Sequence, residues 1–465
     1  MPGRRVEESP VAPLVAFSAT TNLGIAGRVF RLDPGVRDPE AVRALLAGFG
    51  GREADDADAV LGAAADGDDS AAARIDRARA GMRATGAVFG ALGDLVAGLR
   101  IGISMVLEPK TAVLALLLAE AGAEVAVFAF AAETDDAVAR ALAARGVAVH
   151  ASAIATPEEE RRHALALLDR RPQLLLDDGA HVIRLAHAQR PDVVAGLIGA
   201  AEETTSGVRP LRAMAADGAL AVPVVAANDA VTKTWFDNRH GTGETCVLAI
   251  VRALDDDLSA SRAVVVGFGP VGEGVAERLR VLGARVTVVD LDPRRELAAR
   301  FAGYRTAAVL DAVAGADLVV SATGAARTID AAVLAACRDD AVVAVAGGAP
   351  EEVLPPAGTR TERVGPHVER LHLPGGGSVR LLAGGDCVNI VAGEGNPIDV
   401  MDLSFAVQAA AIRFLVEQRG ALRPGVHALP EAADRGAAAL ALGRDAGAAS
   451  SAPPIDWRRT RFDLG

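Results

Sequence analysis

Cysteine is scarce in this chain. Cys246, Cys337 and Cys387 are the only three in 465 residues, and none sits in a CxxC pair or a histidine cluster. That spacing excludes a disulfide framework and a cysteine zinc site, so no metal is expected and a reducing, cytoplasmic setting is. Positive charge is also in deficit. Lys and Arg number 48 against 60 Asp and Glu, a net charge of -12, which argues against nucleic acid or a membrane surface as partner. The N-terminus, MPGRRVEESP, lacks the continuous apolar stretch of a signal peptide, and no stretch has the uninterrupted apolar length of a membrane span. The most apolar one, residues 111–132, is broken by Glu120, Gly122 and Glu124 and reads as a helix followed by a buried strand. Lysine is nearly missing: Lys110 and Lys233 stand alone among arginines.

Apolar residues make up 51% of the chain, enough for more than one core at this length. Residues 1–75, rich in Ala, Gly and Asp, carry weak periodicity and read as an N-terminal extension without an assigned role, with Asp66 to Asp69 as a solvated linker. From about residue 98 strands and helices alternate. LRIGIS, AEVAVFAF and VAVHASA read as strands, and PQLLLDDG as a strand ending in Asp177 and Asp178. The expected division is a substrate-binding unit over 76–243, a second α/β unit over 244–394, a helix over 395–445 returning to the first unit, and a tail over 446–465. A hairpin turning at Gly375 to Gly377 falls in the second unit. The fold class is therefore α/β, with two Rossmann-like, doubly wound domains and a cleft between them.

The second unit opens on its strongest motif. Ala263 to Val266 form an apolar strand running into Gly267-Phe268-Gly269-Pro270-Val271-Gly272, and a helix then runs to Gly283. Gly267 allows the tight turn, Gly269 admits a pyrophosphate, and Gly272 lets the helix lie close on the strand. Pro270 suits the first helical turn. The following strand delivers Asp290 near the spacing at which a carboxylate meets the adenosine ribose, which favours NAD over NADP, with Arg294 and Arg295 close by.

A second constellation lies at 202–246. EETTSG places carboxylates beside hydroxyls, and NDAVTKTWFDN gathers an amide, an ammonium and a carboxylate. Lys233 and Asp237 are four apart and share a helical face. A surface ion pair is one reading. The other starts from the rarity of lysine: a desolvated lysine can serve as a base near neutral pH, whereas arginine cannot.

These segments, with LLLDDG, GFGPVGEG, CVNIVAGEGNP and GVHALP in the same order, resemble S-adenosylhomocysteine hydrolase over residues 98–445. That family keeps its NAD, oxidises a ribose 3′-hydroxyl to a ketone, expels the 5′ substituent through loss of the 4′ proton, adds water and reduces the ketone. The resemblance implies that Lys233 assists the oxidation with Asn228 supporting it. Asp237 and Glu203 would hold ribose hydroxyls, and Asp178 would move a proton at the eliminating carbons. Thr204, Thr205, Ser206, Asn238, Thr323, Gly347 and Asn389 would meet NAD beside the glycine loop, with Asn396 and Met401 on the substrate. A homo-oligomer, dimer or tetramer, is implied as well.

The departures from the family fall on the substrate side. Val106 stands where a histidine is expected, Thr242 for a cysteine, Gly348 for a histidine, and Gly395-Asn396-Pro397 for Gly-His-Pro. The family's tail lysine and tyrosine are absent from PPIDWRRTRFDLG, where an arginine could substitute. His181 and His240 are candidates to move protons in place of the lost histidines, although lone histidines are more often structural. The leading expectation is redox-assisted elimination on a nucleoside or similar sugar with net dehydration, resembling the step that makes angustmycin-type nucleoside antibiotics. The alternatives are a diverged S-adenosylhomocysteine hydrolase, a non-catalytic NAD-binding regulator, and a simple dehydrogenase releasing a keto-sugar.

Overall fold

The computed structural model describes residues 4–62 and 68–445. The tail with its arginines, and the first half of the Asp66–Asp69 run, lie outside the described residues.

Two sheets carry the site. In the first, seven strands are all parallel, in the order Gly425–Ala428, Pro223–Ala226, Gly199–Glu202, Leu174–Asp177, Arg100–Ser104, Glu124–Phe128 and Ala148–His150. Central strands such as Leu174–Asp177 are buried along their whole length, because helices cover both faces. One face packs Ile103, Val113, Leu176, Phe405 and Ile412 together, and the other Phe128, Leu167, Leu175 and Val224. Strand order reverses between Arg100–Ser104 and Leu174–Asp177, so a crevice opens beyond Ser104 and Asp177 at the carboxyl edge.

The second sheet has eight strands. Six are parallel, with the Arg262–Val266 strand between Arg285–Val289 and Leu318–Ser321. The far edge is antiparallel: Ser378–Leu382 pairs with Val368–His372 through the Gly375–Gly377 turn, and Arg360–Gly365 follows. Here the order reverses between Arg262–Val266 and Leu318–Ser321, beside the glycine loop. The chain is a mixed α/β protein with parallel sheets and a Rossmann-like dinucleotide fold.

The N-terminal residues differ from the weakly patterned extension expected. Strands Arg52–Glu53, Val29–Leu32 and Ala59–Leu61 form a small parallel sheet. Helix Ala12–Thr21 precedes it in sequence and helix Pro39–Gly48 joins its first two strands, the latter capped by the Asp38 carboxylate accepting from the Ala41 N–H. Leu14, Ile25, Phe30, Leu46, Phe49 and Leu61 are buried and share one core with Val247, Ile250 and Leu279 of the second unit. Strands of two to four residues are too short to display a period in the sequence, which is why this layer was not legible there. Helix Ala71–Gly81 instead joins the first sheet's core through Ile75 and Ala78.

This N-terminal layer touches a buried acid. Glu244, on helix Gly243–Leu254, accepts from the Ile25 N–H at 2.8 Å and the Ala26 N–H at 3.4 Å. Burial pushes its carboxyl from 4.5 up to about 7, against the pull of those N–H groups and of Arg278. The folded state thus holds this proton more tightly than the unfolded chain. Its penalty is absent below pH 4.5 and fully present above about 7, where it reaches about 3 kcal/mol. Glu244→Gln is therefore expected to flatten the fall of Tm between about pH 5 and pH 8; an unchanged slope would remove Glu244 as its source.

Candidate active site and cofactor site

A cavity of about 920 Å³ lies between the carboxyl edges of the two sheets. Asp178, Glu203, Lys233 and Asp237 line it from the first sheet's side, and Gly269, Pro270 and Val271 from the glycine loop. Asn228, Thr204, Thr205, Ser206, Asn238, Thr323, Gly347, Asn389, Asn396 and Met401 also reach its wall. Gly267, Gly272 and Asp290 do not; they build the loop from behind.

Lys233 ends a short helix at Val231–Lys233, and Thr234–Thr242 continues as a π-helix, a wider coil common at functional sites. Lys233 Nζ meets Asp237 Oδ2 at 2.7 Å and donates to Asn238 Oδ1 at 2.9 Å. The two charged residues are 1% and 4% exposed, so the surface ion-pair reading does not hold. Two of the ammonium's three N–H groups are spent on protein, leaving one for a bound hydroxyl.

The expectation of a lysine depressed toward neutrality is corrected. Burial does work to lower the Lys233 pKa, but Asp237 and Glu203 together outweigh it and hold the ammonium above its ordinary value. The group that titrates near neutrality is Glu203. Burial pushes it to about 7, with Lys233 opposing and Asp237 reinforcing the rise. Ser404 Oγ and Gln408 Nε2 both donate to its carboxylate. Lys233, Asp237 and Glu203 thus form one buried unit that can take or give a proton near pH 7.

Asn228 supports the lysine through a relay. Its Oδ1 accepts from Asn238 Nδ2 and Thr205 Oγ1, each at 3.2 Å, and Asn238 then accepts from Lys233. Asn396 is a second node. Its Nδ2 donates to Asp237 Oδ1 and to Thr242 Oγ1, while its Oδ1 accepts from Asn389 Nδ2 at 2.8 Å. Asp178 follows strand Leu174–Asp177, and burial raises its pKa while Lys233 and a Thr204 hydrogen bond restrain it. Beneath it, Glu202 accepts from the Gly179 and Ala180 N–H groups at 2.9 Å and fixes the turn.

The two histidines separate. His181 lines the cavity edge-on to Phe130. His240 Nδ1 accepts from Arg278 Nη2 at 2.9 Å and is not on the cavity wall, a structural placement. Val106, Thr242 and Gly348 all line the cavity.

Four contributors were missed from the sequence. Glu133 faces the cavity from the turn after strand Glu124–Phe128, and burial, reinforced by Asp178, Asp386 and Glu160, pushes it to about 8. Nothing in its local sequence marks it. Ser404 and Gln408 could have been found, being polar residues four apart on a largely apolar helix, Ile398–Glu417. Glu352 is fully buried beside the cavity, with Oε1 accepting from Ser321 Oγ and Thr323 and Oε2 unpartnered.

The loop fits a dinucleotide. Gly267 has φ +96°, and a Cβ at Gly272 would lie 1.9 Å from Gly267 O, so the helix start and strand end touch backbone to backbone. Asp290 Oδ2 receives the Phe268 N–H at 2.6 Å, tying the loop to the carboxylate expected at the ribose. The open amides of helix Pro270–Val281 face the cavity side, where an anion is stabilised.

Comparison with known proteins is consistent with this geometry. Residues 238–395 match the family described as S-adenosyl-L-homocysteine hydrolase, NAD binding domain. The S-inosyl-L-homocysteine hydrolase of Methanopyrus kandleri is 38% identical over 351 residues, covering 74% of this chain and 83% of that protein. The protein of the same name from Methanothermobacter thermautotrophicus is 40% identical over 344 residues, 72% of this chain and 82% of its own length. The adenosylhomocysteinase of Thermotoga maritima is 37% identical over 352 residues, 75% and 87% of the two chains. The cofactor is NAD.

Proposed function

The chain belongs to the S-adenosyl-L-homocysteine hydrolase family, and from that premise we propose that it eliminates water from a nucleoside or nucleoside-like sugar by oxidation, elimination and reduction. NAD supplies acceptance and return of a hydride. The glycine loop, Asp290, Thr323, Gly347 and Asn389 would hold it. The buried Lys233–Asp237–Glu203 unit takes the hydroxyl proton as a ring alcohol becomes a ketone. Asp178, whose raised pKa makes it a stronger base, removes the proton from the carbon beside the ketone. That electron pair forms the new double bond as the exocyclic C–O bond breaks. The departing hydroxide leaves as water with the proton that Glu133, neutral at pH 7, holds on the cavity wall. The Lys233–Asp237–Glu203 unit then gives its proton back to the ring oxygen as the alcohol is restored.

The observation that carries this reading is the pairing of an intact buried redox unit with a changed leaving-group wall. Val106 and Gly348 stand on the cavity where the family has histidines. A second reading, hydrolysis of a nucleosyl-homocysteine, is favoured by the hydrolase activity for which these relatives are named and by the 82–87% of their length that is matched.

Product analysis separates the two. Incubated with adenosine, inosine, their ketose counterparts and the two nucleosyl-homocysteines, the protein is expected to yield a nucleoside lighter by one water. Homocysteine release without that product would establish the hydrolase reading. Turnover of none of them would sink the nucleoside assignment.

A further inference from the structure

The catalytic reading leaves the N-terminal layer unexplained, and leaves open why the chain's other lysine is buried against the same cavity. Both have one answer. Helix Ala12–Thr21 ends on Asn22, which adopts the left-handed conformation at φ 52°, ψ 38°, a position that asparagine tolerates. Asn22 Nδ2 donates to Glu394 O at 3.0 Å, and Asn22 Oδ1 accepts from Lys110 Nζ at 2.7 Å. Lys110 Nζ also donates to Glu394 O at 3.0 Å and pairs with Glu108 Oε2 at 2.7 Å. All three of its N–H groups are therefore spent on protein, in contrast to Lys233.

The fastening continues past the loop. Asn22 O accepts from the Ile398 N–H at 2.8 Å. Asp399 accepts from the Gly24 N–H at 3.0 Å and from Arg28 Nη2 at 2.9 Å. Residues 394 and 398–399 are thus tied at both ends to residues 22–28. Between those ties stands Asn396, the node that bonds Asp237 on one side and Asn389 on the other.

We propose that residues 22–28 are a positioning strap that sets the loop 394–399, and through Asn396 sets Asp237 and the sugar-binding side of the cavity. The strap stands on these contacts alone; its effect on ligand binding rests on the reading of Asp237 as a sugar-binding group.

The test uses the full chain with its NAD. Asn22→Gly keeps the left-handed backbone and deletes the bridging amide; Arg28→Met cuts the second tie and serves if the first variant does not fold. Hydrogen exchange of residues 394–399 is expected to quicken roughly tenfold while residues 29–61 keep their protection. Adenosine, used as the probe, should bind roughly fivefold more weakly with NAD content unchanged. Loop exchange that does not change in either variant overturns the strap, as does loss of protection throughout 29–61 together with the loop. A loosened loop with unaltered adenosine affinity overturns the positioning role. If the parent protein does not bind adenosine, the nucleoside reading fails while exchange still decides the strap.

Discussion

Lys233→Ala is expected to lower turnover by on the order of 10³-fold while the protein retains its NAD. The ammonium is 1% exposed, and two of its N–H groups are fixed by Asp237 and Asn238. Removing it leaves Glu203 buried beside Asp237 without the cation that restrains its pKa, so Glu203 keeps a proton rather than assisting a hydroxyl in losing one. The dinucleotide loop, Gly267 to Gly272, stands on other elements and keeps its form. Lys233→Arg is not expected to rescue, because a planar, larger guanidinium does not fit a buried site shaped for a point charge between Asp237 and Asn238. Measuring NAD released on denaturation beside turnover settles the matter. A variant with near-parental turnover would remove Lys233 from the chemistry and return the NAD-binding regulator to consideration.

The second large effect lies in the glycine loop. At Gly272 a methyl group would sit 1.9 Å from Gly267 O and 2.8 Å from its carbonyl carbon. Both are backbone atoms of the turn, so neither can swing aside. Gly272→Ala must push helix Pro270–Val281 off strand Arg262–Val266, at a cost of about 1–3 kcal/mol, and co-purifying NAD should fall at least roughly tenfold as the helix start leaves the pyrophosphate position. NAD content at the parental level would show that the loop does not hold the cofactor's phosphates. In this variant Lys233 and Asp237 keep their contact, so activity should return in part with excess NAD, which it does not in Lys233→Ala.

Much of the site was legible because the chemistry is written in short, ordered motifs. The strand–glycine–helix sequence at 263–283 fixes its own geometry, since only glycine accepts φ +96° at Gly267 and contact with backbone at Gly272. The π-helical turn keeps Lys233 and Asp237 in contact at i,i+4, so the pairing could be anticipated from spacing. The parallel sheets followed from alternating apolar strands and helices.

What spacing could not supply is the sign of a pKa. Lys233 read alone is a desolvated lysine; surrounded by Asp237 and Glu203 it is a stable ammonium, and the near-neutral proton moves to Glu203. Glu133 reaches the cavity, and Ser404 and Gln408 reach the Glu203 carboxylate, from segments far apart in the chain, and the N-terminal ties to Glu394, Ile398 and Asp399 span more than 370 residues. Local order in the chain is enough to specify the dinucleotide loop and the identity of its cofactor, because those depend on backbone freedom within a few residues. The protonation of the buried Lys233–Asp237–Glu203 unit, and the place of Asn396 beside it, depend on which charges and carbonyls are brought within a few ångströms by packing, and only the folded chain decides that.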